Sequence, residues 1–131
     1  MIGLDTNVLV RYLTQDDPAQ SPRATEFIER QLTEDNPGYV SAVVMAEMVW
    51  VLERAYELEN VEIVDCIERI LQAAVLVVQN EQEVFTAMTV LKDARGSFAD
   101  GFILALATKA GCLNTVTFDR KALRLTGFVA I

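Results

Sequence analysis

Histidine is missing from this chain altogether. Its absence excludes imidazole acid–base chemistry, Ser-His triads and the usual zinc sites. Cysteine is scarce. Cys66 and Cys112 are the only two, far apart and in no CxxC spacing, and they read as buried free thiols of a cytoplasmic protein rather than a disulfide. No uncharged apolar run approaches the roughly 20 residues a membrane span needs, so no membrane association is expected. The N-terminus carries no basic leader, and its first apolar run is broken by Asp5, so no secretory signal is expected either. There is no internal repeat, low-complexity tract or linker, and 131 residues with 52% apolar content predict one globular domain over 1–131.

Basic residues are also few: 11 against 19 acidic, for a net charge of −8 and a pI near 4.4. Their distribution is uneven. Residues 1–91 carry a net −11 and residues 92–131 a net +3. Lys92, Arg95, Lys109, Arg120, Lys121 and Arg124 make the last third locally basic, which suits a phosphate-bearing ligand at that end. So few groups build no broad basic face, so strong binding to duplex DNA is not expected.

What the chain does have is three carboxylates isolated in apolar surroundings. Asp5 is the only charge in MIGLDTNVLV, Glu47 the only one in AVVMAEMVWVL, and Asp100 the only one in GSFADGFILALAT. Each segment reads as core, where an ionised carboxylate is costly unless paired. No equally isolated Lys or Arg stands near them in sequence. The economical explanation is that the fold gathers them around a cation.

Strand and helix signals alternate along the chain. Residues 2–4 read as a short buried strand ending at Asp5. Asp17 and Pro18 open a helix over 17–32, and Asn36-Pro37-Gly38 marks a turn. Tyr39 and Val40 are extended, and Ser41 caps a helix to about Leu58. Its apolar stripe is Met45, Met48, Val49, Leu52 and Tyr56; Glu47 points away from that stripe, toward Val43, Val51 and Arg54. Trp50 reads as core. Residues 61–74 form a helix whose face, Val64, Ile67, Ile70, Leu71 and Ala74, serves a core or a dimer surface. VLVVQ (75–79) is a strand and 81–94 a helix. Ser97 caps a last long helix with Asp100 in its first turn and Ile103, Leu104, Leu106 and Ala107 facing the core; Gly111 stops it. NTVTFD (114–119) is a strand, KALRL a short helix and FVAI (128–131) a final strand. This order predicts an α/β fold, a three-layer α/β/α sandwich with a central, mainly parallel sheet.

In open α/β sheets, ligands bind beyond the carboxyl ends of the strands. Asp5 and Asp119 sit at strand ends, and Glu47 and Asp100 near helix starts expected at the same edge. Four carboxylates in one cleft raise each other's pKa unless a counter-charge is present. With no histidine, carboxylates alone select a hard cation, Mg²⁺ or Mn²⁺, in one or two copies. That chemistry suits hydrolysis of a phosphodiester by water that a metal has activated.

The same residues resemble a known family. MIGLDTNVLV, the helix carrying SAVVMAEMVW and the tail SFADGFILALATKAGCLNTVTFDRKA are similar, in order and over essentially the whole chain, to the PIN domains. The nearest likeness is to the VapC-type toxins of bacterial VapBC toxin–antitoxin pairs. The resemblance implies a Mg²⁺- or Mn²⁺-dependent endoribonuclease that cleaves RNA, is restrained by a cognate antitoxin protein and forms a homodimer. It makes Asp5, Glu47 and Asp100 the acidic triad and Asp119 a fourth, more variable acid, all metal ligands and catalytic. Thr6, Asn7 and Thr117 become supporting hydrogen-bonders. The chain departs from the pattern at Gly101, where a larger small residue is usual, which implies a looser helix start.

Each residue also has a plain structural reading. Asp5 suits a turn after a strand, Asp100 suits a helix N-terminus, and Asp119 equally caps KALRL. Glu47 has none of these, save a partnership with Arg54. Among other functions, a haloacid-dehalogenase-like site wants a second Asp where Asn7 stands. A receiver-like domain wants a phosphoacceptor Asp after the middle strand, which ends in Gln79-Asn80. A catalytically silent PIN-like protein-binding module is the remaining alternative.

Overall fold

The computed structural model describes residues 1–131. The chain divides into two compact units, Met1–Gln79 and Asn80–Ile131. It is α/β, and every strand pairing is parallel, as the alternation of elements requires. No helix is long and apolar enough to cross a membrane.

The N-terminal unit runs β1 (Ile2–Gly3), α1 (Thr6–Thr14), α2 (Gln20–Glu26) with a π-helical turn at Phe27–Gln31, β2 (Gly38–Val40), α3 (Ala42–Arg54), α4 (Asn60–Gln72) and β3 (Leu76–Val78). Its three strands pair in the order β1-β2-β3, with Ile2 opposite Gly38 and Gly38 opposite Leu76. Because the strands are parallel, Asp5, Ser41 and Gln79 all leave the sheet at its carboxyl edge. Ser41 caps α3 as expected, its hydroxyl accepting from the Val44 N–H at 3.2 Å. Gln79 adds a second cap by accepting from the Ala42 N–H at 2.8 Å.

Several expectations are corrected here. β1 is not buried: Ile2 and Gly3 are exposed, and the burial begins at Leu4. Helix α1 has no counterpart in the sequence reading. The helix expected over 17–32 is regular from Gln20, and Asp17 caps its start as expected: its carboxylate accepts from the Ala19 and Gln20 N–H groups and its carbonyl from the Ser21 N–H, while Pro22 has no N–H to continue the ladder to Pro18. Its last turn widens into the π form and stops at Leu32. Met45, Met48, Val49 and Leu52 are buried, whereas Trp50 is 58% exposed beneath Arg54, with 5.9 Å from the guanidinium carbon to the ring. Trp50 lies two residues past Met48, about 200° around the helix, and so falls opposite the stripe. Helix α4 buries Ile63, Val64, Ile67 and Ile70, so that face is core.

The C-terminal unit runs α5 (Glu81–Lys92), α6 (Phe98–Lys109), β4 (Thr115–Thr117), a 3₁₀ turn at Ala122–Arg124 and β5 (Phe128–Ala130). β4 pairs with β5, Val116 opposite Val129. Val90, Ala122, Leu125 and Phe128 form a buried cluster against which Leu104 packs. The buried face of α6 is Phe98, Gly101 and Phe102; Ile103 is 52% exposed and Leu104, Leu106 and Ala107 are only half-buried. Gly101 explains the difference. A Cβ there would lie 3.1 Å from the Val90 Cβ and 3.2 Å from the Ala87 Cα, so the missing side chain lets α5 and α6 approach closely. Gly101 thus serves the packing of the two helices. Gly111, with φ near +99°, ends α6 in a conformation that other residues rarely adopt. Cys66 is buried, but Cys112 just beyond Gly111 is exposed, so only one of the two thiols matches the expectation.

Candidate functional site

Asp5 follows β1 and stands at the N-cap position of α1 with extended backbone angles. Its side chain makes no capping hydrogen bond, so the turn-forming role does not account for the carboxylate. Thr6, the next residue, is buried, and its hydroxyl donates to a carboxylate oxygen of Glu47. Glu47 sits in the second turn of α3, off the buried Met45–Met48–Leu52 stripe. This contact between residues 41 apart ties the Asp5 turn to Glu47 through the packing of α1 on α3. Arg54 stacks on Trp50 and forms no ion pair with Glu47.

In the C-terminal unit, Ser97 caps α6 by accepting from the Asp100 N–H at 3.0 Å. Asp100 is therefore in the first turn, as expected, half-buried and with its carboxylate unpaired. Asp119 follows β4. One carboxylate oxygen accepts from the Lys121 N–H at 2.9 Å, and the Thr117 hydroxyl accepts from the Asp119 N–H at 3.0 Å. Asp119 thus closes a turn just ahead of the 3₁₀ turn, whose N-cap position is Lys121, and Thr117 fixes the backbone that carries it. Asn7 is exposed at the start of α1.

The acids are less enclosed than their apolar neighbours in sequence imply. Asp5, Glu47 and Asp119 are exposed and Asp100 is half-buried. Each occupies an element's end or outer face, where a carboxylate stays hydrated while the residues around it pack inward. No three His, Cys, Asp or Glu side chains are gathered closely enough to enclose an ion. What the residues offer a hard cation is their donor chemistry: four carboxylates, none engaged by Lys or Arg.

The sequence reading missed Gln79, whose polar side chain at the end of β3 braces the start of α3. Its position at a strand's carboxyl end was the available signal. It also missed a cluster at the end of α1. Asp16 accepts from the Thr14 and Tyr56 hydroxyls, each at 2.7 Å, and from Arg11 at 3.2 Å. The Thr14 hydroxyl first, then that of Tyr56, holds the Asp16 carboxyl down at about 2. The cluster joins α1 to the end of α3 and so steadies the pair of helices that carry Thr6 and Glu47.

The chain is 27% identical over 128 residues to a VapC ribonuclease of Aquifex aeolicus (strain VF5), an alignment spanning 98% of this chain and 93% of that protein. The family description "PIN domain" matches residues 2–128. Chain order, parallel strands and a sequence match over nearly the full length coincide, and the chain belongs to the PIN domain family.

Proposed function

We propose that this chain is a metal-dependent endoribonuclease hydrolysing RNA phosphodiester bonds, and the toxin of a type II toxin–antitoxin pair, with residues 1–131 acting as one PIN-like domain. The observation that carries the reading is the set Asp5, Glu47, Asp100 and Asp119. All four are left without a basic partner in a chain that matches the PIN family over residues 2–128. The relative named a VapC ribonuclease supports the ribonuclease part.

The four carboxylates are the groups we assign to Mg²⁺ or Mn²⁺. Such an ion lowers the pKa of a coordinated water and offsets charge that develops on phosphate. The chain's own residues supply the rest. Thr6 holds Glu47 in one orientation, which limits the carboxylate's freedom to swing away. Thr117 fixes the turn of Asp119. Arg120 and Lys121 are exposed with no carboxylate partner and suit RNA phosphate, whereas Lys109 is engaged by Glu83 at 3.2 Å. A cognate antitoxin, a homodimer and a cytoplasmic location complete the reading.

The test is cleavage of total RNA by the purified, antitoxin-free chain in Mg²⁺, in Mn²⁺ and in EDTA, beside Asp5→Asn and Asp100→Asn. Cleavage that needs both metal and each Asp is expected. Variants that fold and cleave as well as wild type would remove the assignment. Absence of both cleavage and Mn²⁺ binding would favour the silent binding module.

A further inference from the structure

A groove of about 790 Å³ lies wholly within the N-terminal unit, bounded by the start of α1, helix α2 and the π-helical turn. Its rim includes Gly3 and Leu4, the two residues before Asp5, and Asn7, two residues after it. We propose that this groove is a subsite for an unpaired nucleotide of the RNA adjacent to the bond being cut. The proposal deepens the ribonuclease reading and rests on it.

Three observations carry the assignment. The first is chemical. Along one side stands Phe27, half-buried and able to stack on a base, and around it are the amides of Asn7, Gln20 and Gln31. An aromatic face with amide donors and acceptors is the equipment that reads single-stranded bases. The second is charge. The unit holds 14 acidic and 5 basic residues, yet two of those five, Arg11 and Arg23, line this groove. Arg11 is consumed by Asp16, Tyr56 and Gln20. Arg23 is exposed and has no ion pair, so it alone offers the groove a free guanidinium for a phosphate. The only acid on the rim, Glu26, is offset by Arg30 at 3.4 Å. The third is position: the groove opens beside the turn that presents Asp5, so a base seated in it holds the neighbouring phosphate near that carboxylate. A duplex keeps its bases stacked inside and presents none to such a groove.

The test separates this assignment from the reaction. The Asp5→Asn chain is titrated with a fluorescent eight-nucleotide RNA, single-stranded or annealed to its complement, and anisotropy gives Kd. Arg23→Ala and Phe27→Leu are introduced singly into that background and into the wild-type chain. We expect the single strand to bind more tightly than the duplex. Phe27→Leu should weaken the single strand about ten-fold, the size of one lost base stack. Arg23→Ala should weaken it at low salt and reduce the slope of log Kd against log salt by about 0.7, one phosphate contact on a single strand. Arg23 is exposed, so its variant keeps the assay interpretable even if Phe27→Leu folds poorly. Metal-dependent cleavage with unchanged RNA binding in both variants would overturn the subsite and leave the ribonuclease standing. Groove-dependent binding without cleavage would do the reverse.

Discussion

The hydroxyl of Thr6 donates to the carboxylate of Glu47, joining the first turn of α1 to the second turn of α3. The contact removes rotational freedom from an acid that nothing else restrains. Thr6→Val keeps the shape of a buried side chain and deletes the donor. Glu47 is exposed and regains water, so the melting temperature should hardly move. Mn²⁺ affinity by calorimetry, and cleavage rate, should fall roughly 10- to 100-fold, the usual effect of removing a ligand's supporting hydrogen bond. Thr6→Ser should retain most of both.

Gly101 sets how closely α5 and α6 approach. Gly101→Val would drive a branched side chain toward Val90 and the Ala87 backbone, which cannot move aside. Urea unfolding should show a loss of about 2 kcal/mol or more. Gly101→Ala should cost less, because better helix propensity returns roughly 1 kcal/mol.

Asp16 makes part of the stability pH-dependent. Its carboxyl is depressed from 3.8 to about 2, so the folded state binds its proton less readily than the unfolded state. That contribution is present above pH 3.8 and is lost as pH falls toward about 2. Asp16→Asn should lower the melting temperature at pH 7 slightly and flatten its decline between pH 4 and 2. Parallel melts across that range, followed by circular dichroism, give the comparison, and identical slopes would show that the cluster contributes nothing.

The two thiols should differ sharply. Cys112 is exposed, whereas Cys66 is buried and burial pushes its pKa up. A disulfide-exchange reagent at pH 8 should therefore modify Cys112 within minutes and Cys66 only after denaturant is added. Cys112→Ser should remove the fast phase alone.

Much of this protein was legible from local pattern. The five strands, the caps Ser41 and Ser97, and the stop at Gly111 follow from hydrogen-bonding groups and backbone freedom within a few residues. The polarity of the strands followed from alternation with helices, since parallel neighbours require crossovers. The same locality explains the misses. TNVLVRYLT mixes β-branched and helix-forming residues and folds as α1 because Leu9 and Val10 find a core, which no window around them reveals. Asp17 caps the helix start as its sequence suggests, but the regular helix begins only at Gln20, because Pro22 lacks the N–H that Pro18 needs.

At the candidate site the division is similar. The sequence by itself determined which carboxylates stand without counter-charge, because charge and spacing are properties of the chain. It also determined the family, through the order of its motifs. Only the tertiary structure decided how those groups are presented. Apolar flanks suggested buried acids, yet Asp5 and Glu47 reach solvent from a helix start and a helix's outer face. A residue's neighbours in sequence point in other directions from a helix, so they do not report its surroundings. The Thr6–Glu47 bond joins elements distant in sequence, and the groove with its free Arg23 and the void that Gly101 leaves for α5 depend on how neighbouring helices pack. Such contacts arise from packing, and packing is decided by the whole folded chain.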